Sequence, residues 1–202
     1  MARRHTTQER LLALAQGGPV RARDLEHVQV PRAYLARLVE KGVLERLDRG
    51  LYALVSAEKG SEGSSLGLTA KRVPKGVVCL LSALQVHGLT TELPGAVWLM
   101  IDRSAHPPRF TYPRLEIVRA SGPALSHGVE RRTLDGVTVK LTTPAKTVAD
   151  CFRYRRHVGM EVALSALRDY LRKYRGGVDR LVEAARVDRV YTFLRPYLEA
   201  LA

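Results

Sequence analysis

The apolar positions of the first fifty residues follow a helical period and then a strand period. Leu11, Leu12, Leu14 and Ala15 share one face of a helix that begins at Thr6 or Thr7 and stops at Gly17-Gly18. Thr6 and Glu9 have capping-box spacing, so hydroxyl and carboxylate each satisfy an open backbone N–H. A short second helix is predicted near Arg21–His27, with Leu25 buried. The next turn, Val28-Gln29-Val30, has no glycine and uses Val30 as its buried residue. The best-defined helix starts at Pro31, a residue suited to the first helical turn, and ends at Gly42. Leu35, Leu38 and Val39 form its inward stripe, while Ala33, Arg37 and Glu40 lie opposite with Arg32, Tyr34 and Lys41 on the flanks. Val43–Leu47 then alternates like a half-buried strand, Asp48-Arg49-Gly50 turns the chain, and Leu51–Leu54 returns. Three helices and a hairpin in this order make a winged helix-turn-helix, whose third helix enters the DNA major groove.

Residues 57–67, AEKGSEGSSLG, combine Gly, Ser and charge with little apolar content. They divide the chain into a DNA-binding domain over 1–57, a linker over 58–67 and a second domain over 68–202. The second domain mixes both periods. Gly76–Leu81 is an apolar run, followed by a helix capped at Ser82 and closed at Gly88. Ala96–Ile101 and Arg114–Arg119 read as strands separated by a proline-marked loop. Val129–Thr133 and Val137–Leu141 flank Asp135-Gly136, a strong hairpin signal. Thr143 then caps a helix with Pro144 in its first turn. Helices are expected at about 144–154, 160–174, 178–185 and 188–200, broken at Gly159 and Gly176-Gly177. The fold class is α+β: a winged helix-turn-helix, then a mixed sheet with a helical C-terminal third.

The combination resembles bacterial antitoxins of the AbiEi type, from abortive-infection toxin–antitoxin operons. LARLVEKGVLERLDRGLYAL carries the likeness in the first domain, and VVCLLSALQVHGL and LTTPAKTVADCFR carry it in the second. The resemblance implies an N-terminal domain that represses its own promoter. It also implies a C-terminal domain that counteracts a nucleotidyltransferase toxin in phage defence. Such systems are classed as type IV, in which the antitoxin need not hold the toxin in a stable complex. Double-stranded DNA is then a direct partner and the toxin a functional one.

Composition modifies this picture in one respect. The 202 residues carry a formal charge of +13, which favours a polyanionic partner. Up to Glu58 there are ten Arg or Lys against seven Asp or Glu, whereas the remainder has twenty-three against thirteen. Most of the surplus therefore lies outside the expected reader. Arg153, Arg155 and Arg156, with Arg168, Arg172, Lys173 and Arg175, form basic stripes on the late helices. Two readings stand for them: a surface for an acidic toxin, RNA or flanking DNA, and the solubilising faces of amphipathic helices. No apolar run reaches the length of a membrane span, MARRHTTQER lacks a signal-peptide apolar core, and two distant cysteines suit a reducing cytoplasm.

Arg32 and Arg37, with Ala33, Tyr34 and Lys41, are the expected DNA-reading residues. Arg46 and Arg49 are placed on the wing for phosphate or minor-groove contact, and for Arg21 and Arg23 two readings stand, contact with the DNA backbone near the start of the second helix and solvated surface. No catalytic, cofactor or metal site is expected. Cys79 with His87, and Cys151 with His157, lack paired zinc spacing. Phosphate-loop, nucleophile-elbow and HExxH patterns are missing. Asp102 and Glu116 on neighbouring strands are read as surface charges, although two carboxylates would suit a metal-dependent nuclease. Asp150 is expected to cap its helix or pair with an arginine such as Arg153. The alternative function is a stand-alone winged-helix regulator whose second domain senses or dimerises.

Overall fold

The computed structural model describes residues 6–16, 19–54, 62–110 and 112–201. They form two compact units: the residues up to Arg72 with Thr133–Thr138, and Val73–Arg132 with the residues from Val139 onward.

In the first unit, α1 (Thr7–Gln16) opens with the expected reciprocal cap. Glu9 N–H donates to Thr6 Oγ1 at 3.2 Å, and Thr6 N–H donates to the Glu9 carboxylate at 2.8 Å. The Gly17-Gly18 stop lies outside the described residues. The second helix is shorter and later than expected. Val20–Arg21 is a strand, β1, and a 3-10 helix covers Asp24–Val28. The Asp24 carboxylate causes the split, because it accepts the Arg21 N–H at 2.8 Å and turns the chain between the two elements. Gln29 then takes the left-handed conformation, φ 53° and ψ 44°, which supplies the turn that a glycine would make easily. Val30 is buried behind it.

α2 (Ala33–Glu40) begins two residues after Pro31 and buries Leu35 and Leu38. It ends in a Schellman motif. Gly42 has φ 66°, its N–H donates to Val39 O at 3.0 Å, and Val43 N–H donates to Leu38 O at 2.9 Å. β2 (Leu44–Asp48) and β3 (Leu51–Leu54) form the expected hairpin around Gly50, with an irregularity between Arg46 and Asp48. β1 pairs antiparallel with β3, Val20 opposite Tyr52, giving the order β1-β3-β2. Leu11, Ala15, Val20, Leu25, Val30, Leu35, Leu38 and Leu44 form one core.

The linker expected over 58–67 falls outside the described residues up to 61, and from Glu62 the chain is helical. This helix, α3 (Glu62–Arg72), buries Leu66, Leu68 and Thr69. A Cβ on Gly67 would lie 3.2 Å from a Val137 methyl, so the small residues that suggested a linker here permit close packing. Lys71 donates to Pro19 O and Arg72 to Leu47 O, which joins α3 to the first unit. The boundary between the units follows Arg72 and is later than the composition suggested.

The second unit has a five-stranded sheet in the order β6-β5-β4-β8-β7. Its strands are β4 (Val77–Val78), β5 (Val97–Asp102), β6 (Leu115–Ala120), β7 (Val129–Leu134) and β8 (Val137–Thr142). β4 is antiparallel to β5 and parallel to β8, and β5 is parallel to β6. The β7–β8 turn uses positive φ at both Asp135 (45°) and Gly136 (72°), the geometry its sequence calls for. The apolar run at 76–81 yields only two strand residues. Leu80, at φ 47°, swings the chain into α4 (Leu80–Val86), two residues ahead of the expected start. Ser82 is not its cap; its hydroxyl accepts the Trp98 N–H at 3.0 Å.

The remaining helices are α5 (Pro123–Ser126), α6 (Pro144–Arg153), α7 (Arg155–Val158), α8 (Met160–Lys173), α9 (Val178–Val187) and α10 (Tyr191–Leu201). Thr143 occupies the cap position of α6 without a side-chain cap bond. Asp188, expected to open the last helix, is instead a buried residue at the end of α9. α6 lies at the centre, its residues Ala145–Phe152 all buried.

Gln29 provides a test of the first unit. A left-handed backbone costs an L-residue about 1–2 kcal/mol, and glycine avoids this at a smaller entropic cost in the unfolded chain. Gln29→Gly should therefore raise the unfolding free energy by roughly 0.5–1 kcal/mol in denaturant titrations, and Gln29→Val should lower it.

Candidate nucleic-acid interface

The outward face of α2 follows from its inward one. With Leu35 and Leu38 buried, Ala33, Ala36, Arg37, Glu40 and Lys41 are exposed. Tyr34 is half-buried against the core and offers its ring to Arg37, whose guanidinium carbon lies 5.5 Å from the ring centroid. Arg32 precedes the helix and is exposed, with Nη2 3.3 Å from the Glu26 carboxylate on the 3-10 helix. Arg46 and Arg49 are exposed on the hairpin. Arg21 is half-buried in β1, and Arg23 is exposed 3.9 Å from the Asp24 carboxylate. The expected residues thus divide into an α2 group, a hairpin pair and two arginines beside Asp24. Glu26, as the partner of Arg32, was missed in the sequence. Its six-residue separation belongs to no helical spacing, so only the turn at Gln29 brings the two together.

The motif residues of the second unit converge in its core. Lys146 is buried with its ammonium against two buried carboxylates, Asp150 Oδ1 at 2.5 Å and Asp188 Oδ2 at 3.0 Å. Asp150 therefore pairs with Lys146, whereas Arg153 donates to the Asp188 carbonyl at 3.0 Å and lies 3.8 Å from its carboxylate. Burial raises the Asp150 pKa well above the ordinary carboxylate value; Lys146 offsets this in part and Asp188 adds to it. Burial also works against the Lys146 ammonium, but the two carboxylates outweigh it and raise its pKa. The buried His87 ring meets the Thr142 carbonyl through Nε2 at 2.7 Å, and burial lowers its pKa. Donation to that carbonyl places the proton of the neutral ring on Nε2. Thr147 Oγ1 completes the join by donating to Thr143 O at 2.8 Å. The two motifs that carry the resemblance in this unit are therefore one packed and hydrogen-bonded structure.

Asp102 and Glu116 do not meet. Glu116 pairs with Trp98 and Asp102 with Ala120, which separates the carboxylates by four strand positions, on the order of 13 Å. Asp102 instead accepts the N–H and hydroxyl of Ser104, and these bonds lower its pKa. Among the described residues no three His, Cys, Asp or Glu side chains are grouped to hold a metal ion, and both cysteines are buried free thiols. Burial raises the pKa of each thiol. The late basic stripes are partly committed internally: Arg155 donates to Phe152 O and covers the Phe193 ring, Arg172 meets Asp169, and Lys173 donates to His87 O. No helix among the described residues is long and apolar enough to cross a membrane.

Comparison with known proteins adds a match over the first unit and a fold for the whole chain. Residues 9–55, from α1 to the end of the hairpin, match the family model described as transcriptional regulator, AbiEi antitoxin. The AbiEi match indicates an antitoxin or regulatory role for the chain. No curated protein matches the sequence. The crystal structure of the RV2827C protein from Mycobacterium tuberculosis is similar over 100% of this chain and 84% of that one, with a TM-score of 0.58. At 13% identity this likeness concerns the fold, which extends beyond the AbiEi segment through the second unit.

The buried cluster makes two measurements informative. Lys146→Met strands two carboxylates and should cost about 3–5 kcal/mol of stability, with part of it recovered in Lys146→Met/Asp150→Leu. The second measurement is pH dependence. The native state holds the Asp150 proton more tightly than the unfolded state does, so this carboxyl's contribution to stability falls as pH rises above about 4 towards its raised value. Asp150→Asn should flatten that slope in denaturant titrations across the acid range; an unchanged slope would assign it to other groups.

Proposed function

We propose that the protein is a DNA-binding repressor of its own promoter and the antitoxin of an abortive-infection operon, acting in the cytoplasm against a nucleotidyltransferase toxin. The observation that carries this reading is the overlap of the AbiEi regulator match with a set of exposed cations in the first unit. Residues 9–55 include the 3-10 helix, α2 and the hairpin, and Arg32, Arg37, Lys41, Arg46 and Arg49 are all exposed on them. The first unit then works as a winged helix-turn-helix, with α2 as the groove-entering helix and β2–β3 as the wing. Arg37, stacked on Tyr34, is the base reader; a bidentate contact to guanine contributes about 1–3 kcal/mol of discrimination.

The second unit supplies the antitoxin activity in this reading, in a type IV arrangement that requires no stable complex with the toxin. Its charge also suits a polyanion. Lys75, Arg131 and Lys140 line an open cleft of about 620 Å³ whose lining includes no carboxylate. Such a surface adds sequence-neutral attraction to nucleic acid.

Two experiments test the separate parts. Arg37→Ala should weaken binding to a duplex from the promoter region by about tenfold or more and reduce the preference over a scrambled duplex, at unchanged melting temperature. Equal preference in the variant would remove Arg37 as reader. For the antitoxin part, growth is measured with a neighbouring nucleotidyltransferase expressed, alone and with the full chain. Rescue by the full chain supports the reading. Failure to rescue from a demonstrably toxic neighbour leaves a stand-alone regulator, the alternative that fits a family match confined to 9–55.

A further inference from the structure

Two arginines of the α2 segment, Arg32 before its first residue and Arg37 in its last turn, have different surroundings. Arg37 lies on the Tyr34 ring, and no carboxylate pairs with it among the described residues. Arg32 is held by Glu26 at 3.3 Å. The core fixes both backbones of this pair. Leu25, immediately before Glu26, and Leu35, three residues after Arg32, are each buried, and Gln29 fixes the turn between them. Val30 N–H also donates to Leu25 O at 3.1 Å, and Leu35 N–H to Arg32 O at 3.0 Å. The carboxylate therefore faces the guanidinium because the fold puts it there.

We infer that Arg32 is a phosphate contact restrained by Glu26, so that Glu26 sets the overall strength of DNA binding without affecting sequence preference. The inference rests on the DNA-binding reading above and assigns the two arginines separate tasks. A guanidinium bound to a carboxylate must exchange that partner before it neutralises a phosphate. Every sequence presents the same phosphates, so the cost is common to specific and non-specific sites and cancels in their ratio. Arg37 has no such competitor among the described residues and reads bases, so its effect does not cancel. Glu26 is a positioning residue here, since it acts only through Arg32. Both side chains are about 70% exposed, which makes their attraction weak and screened by salt. The restraint is therefore a modest factor that bound DNA overcomes.

The test uses the full chain, a duplex from the promoter region and a scrambled duplex of equal length, titrated by fluorescence anisotropy across a salt series. Glu26→Gln should tighten both duplexes by the same factor, about threefold to fivefold. Its affinity should also fall more steeply with salt, by about one unit of slope. Arg32→Gln should weaken both and flatten the slope by about one, and adding Glu26→Gln to it should change nothing further. Glu26→Asp, which keeps the charge, should stay near the wild type. A changed preference in Glu26→Gln would mean that the pair reads bases. Weaker binding would mean that Glu26 aims Arg32 at the DNA, and no change in either duplex would leave the pair idle. Each of these three results overturns the inference. A wild-type chain with no affinity for either duplex would remove the DNA-binding reading as well.

Discussion

The second unit depends on an ammonium group shielded from water. Lys146 projects from the most buried helix in the chain to two carboxylates, one on its own helix and one from the end of α9. An isolated charge there would be too costly to keep, so the three groups are stable only together. This fixes where α9 must end. Asp188 reaches Lys146 because it leaves the helix at that point, and Arg153 holds its carbonyl from the next turn of α6. The same constraint reaches the N-terminal side of α6, where His87 and Thr147 both bond carbonyls of the strand-to-helix junction. Gly128 completes the junction: its missing side chain leaves room for the Lys146 stem, which a Cβ would approach to 2.8 Å.

The first unit depends on an apolar stripe in place of a buried charge. Leu35 and Leu38 turn inward, and the helical period then decides which residues are outside. Surface chemistry on α2 is thus a consequence of burial, and the turn at Gln29 sets the helix against the 3-10 segment before it. Where the second unit uses an ion pair to position helices, the first positions α2 by apolar packing and leaves Arg37 and Lys41 exposed on it.

Much of this was legible in the sequence wherever the signal was local. The Thr6–Glu9 cap, the α2 stripe, the Gly42 terminus and the Asp135-Gly136 hairpin each rest on residues within four or five positions of one another, and each formed as read. Features set by distant partners were not legible. β1 exists because Tyr52 and Leu51 pair with Val20 and Arg21, and α3 is a helix partly because Lys71 and Arg72 find carbonyls in the hairpin and before β1. Ser82 has the composition of a cap yet serves Trp98, which lies on another element. Asp150 was singled out for pairing, but its partner is the lysine one turn earlier and not Arg153, since Asp188 takes the arginine from a position 35 residues away. For the interface, the cations were readable from helical spacing. The Glu26 carboxylate that pairs with Arg32 was not.

The basic composition of the second unit therefore has more than one origin. Arg119 donates from one nitrogen to the carbonyls of Asp102, Arg103 and Ala105 and so holds the turn after β5, while Lys140 reaches Pro74 O. These are structural uses, and arginine suits them because its several fixed donors satisfy loop carbonyls that would otherwise need water. A carbonyl, however, does not neutralise the charge it accepts. An arginine committed to a loop still contributes to the field that a polyanion meets, whereas one paired with a carboxylate, as Arg172 is with Asp169, largely does not. A chain that builds its loops with carbonyl-bound cations thus acquires an attractive field as a by-product of folding. The surplus of positive charge in the second unit is thus in part a consequence of how its loops are closed.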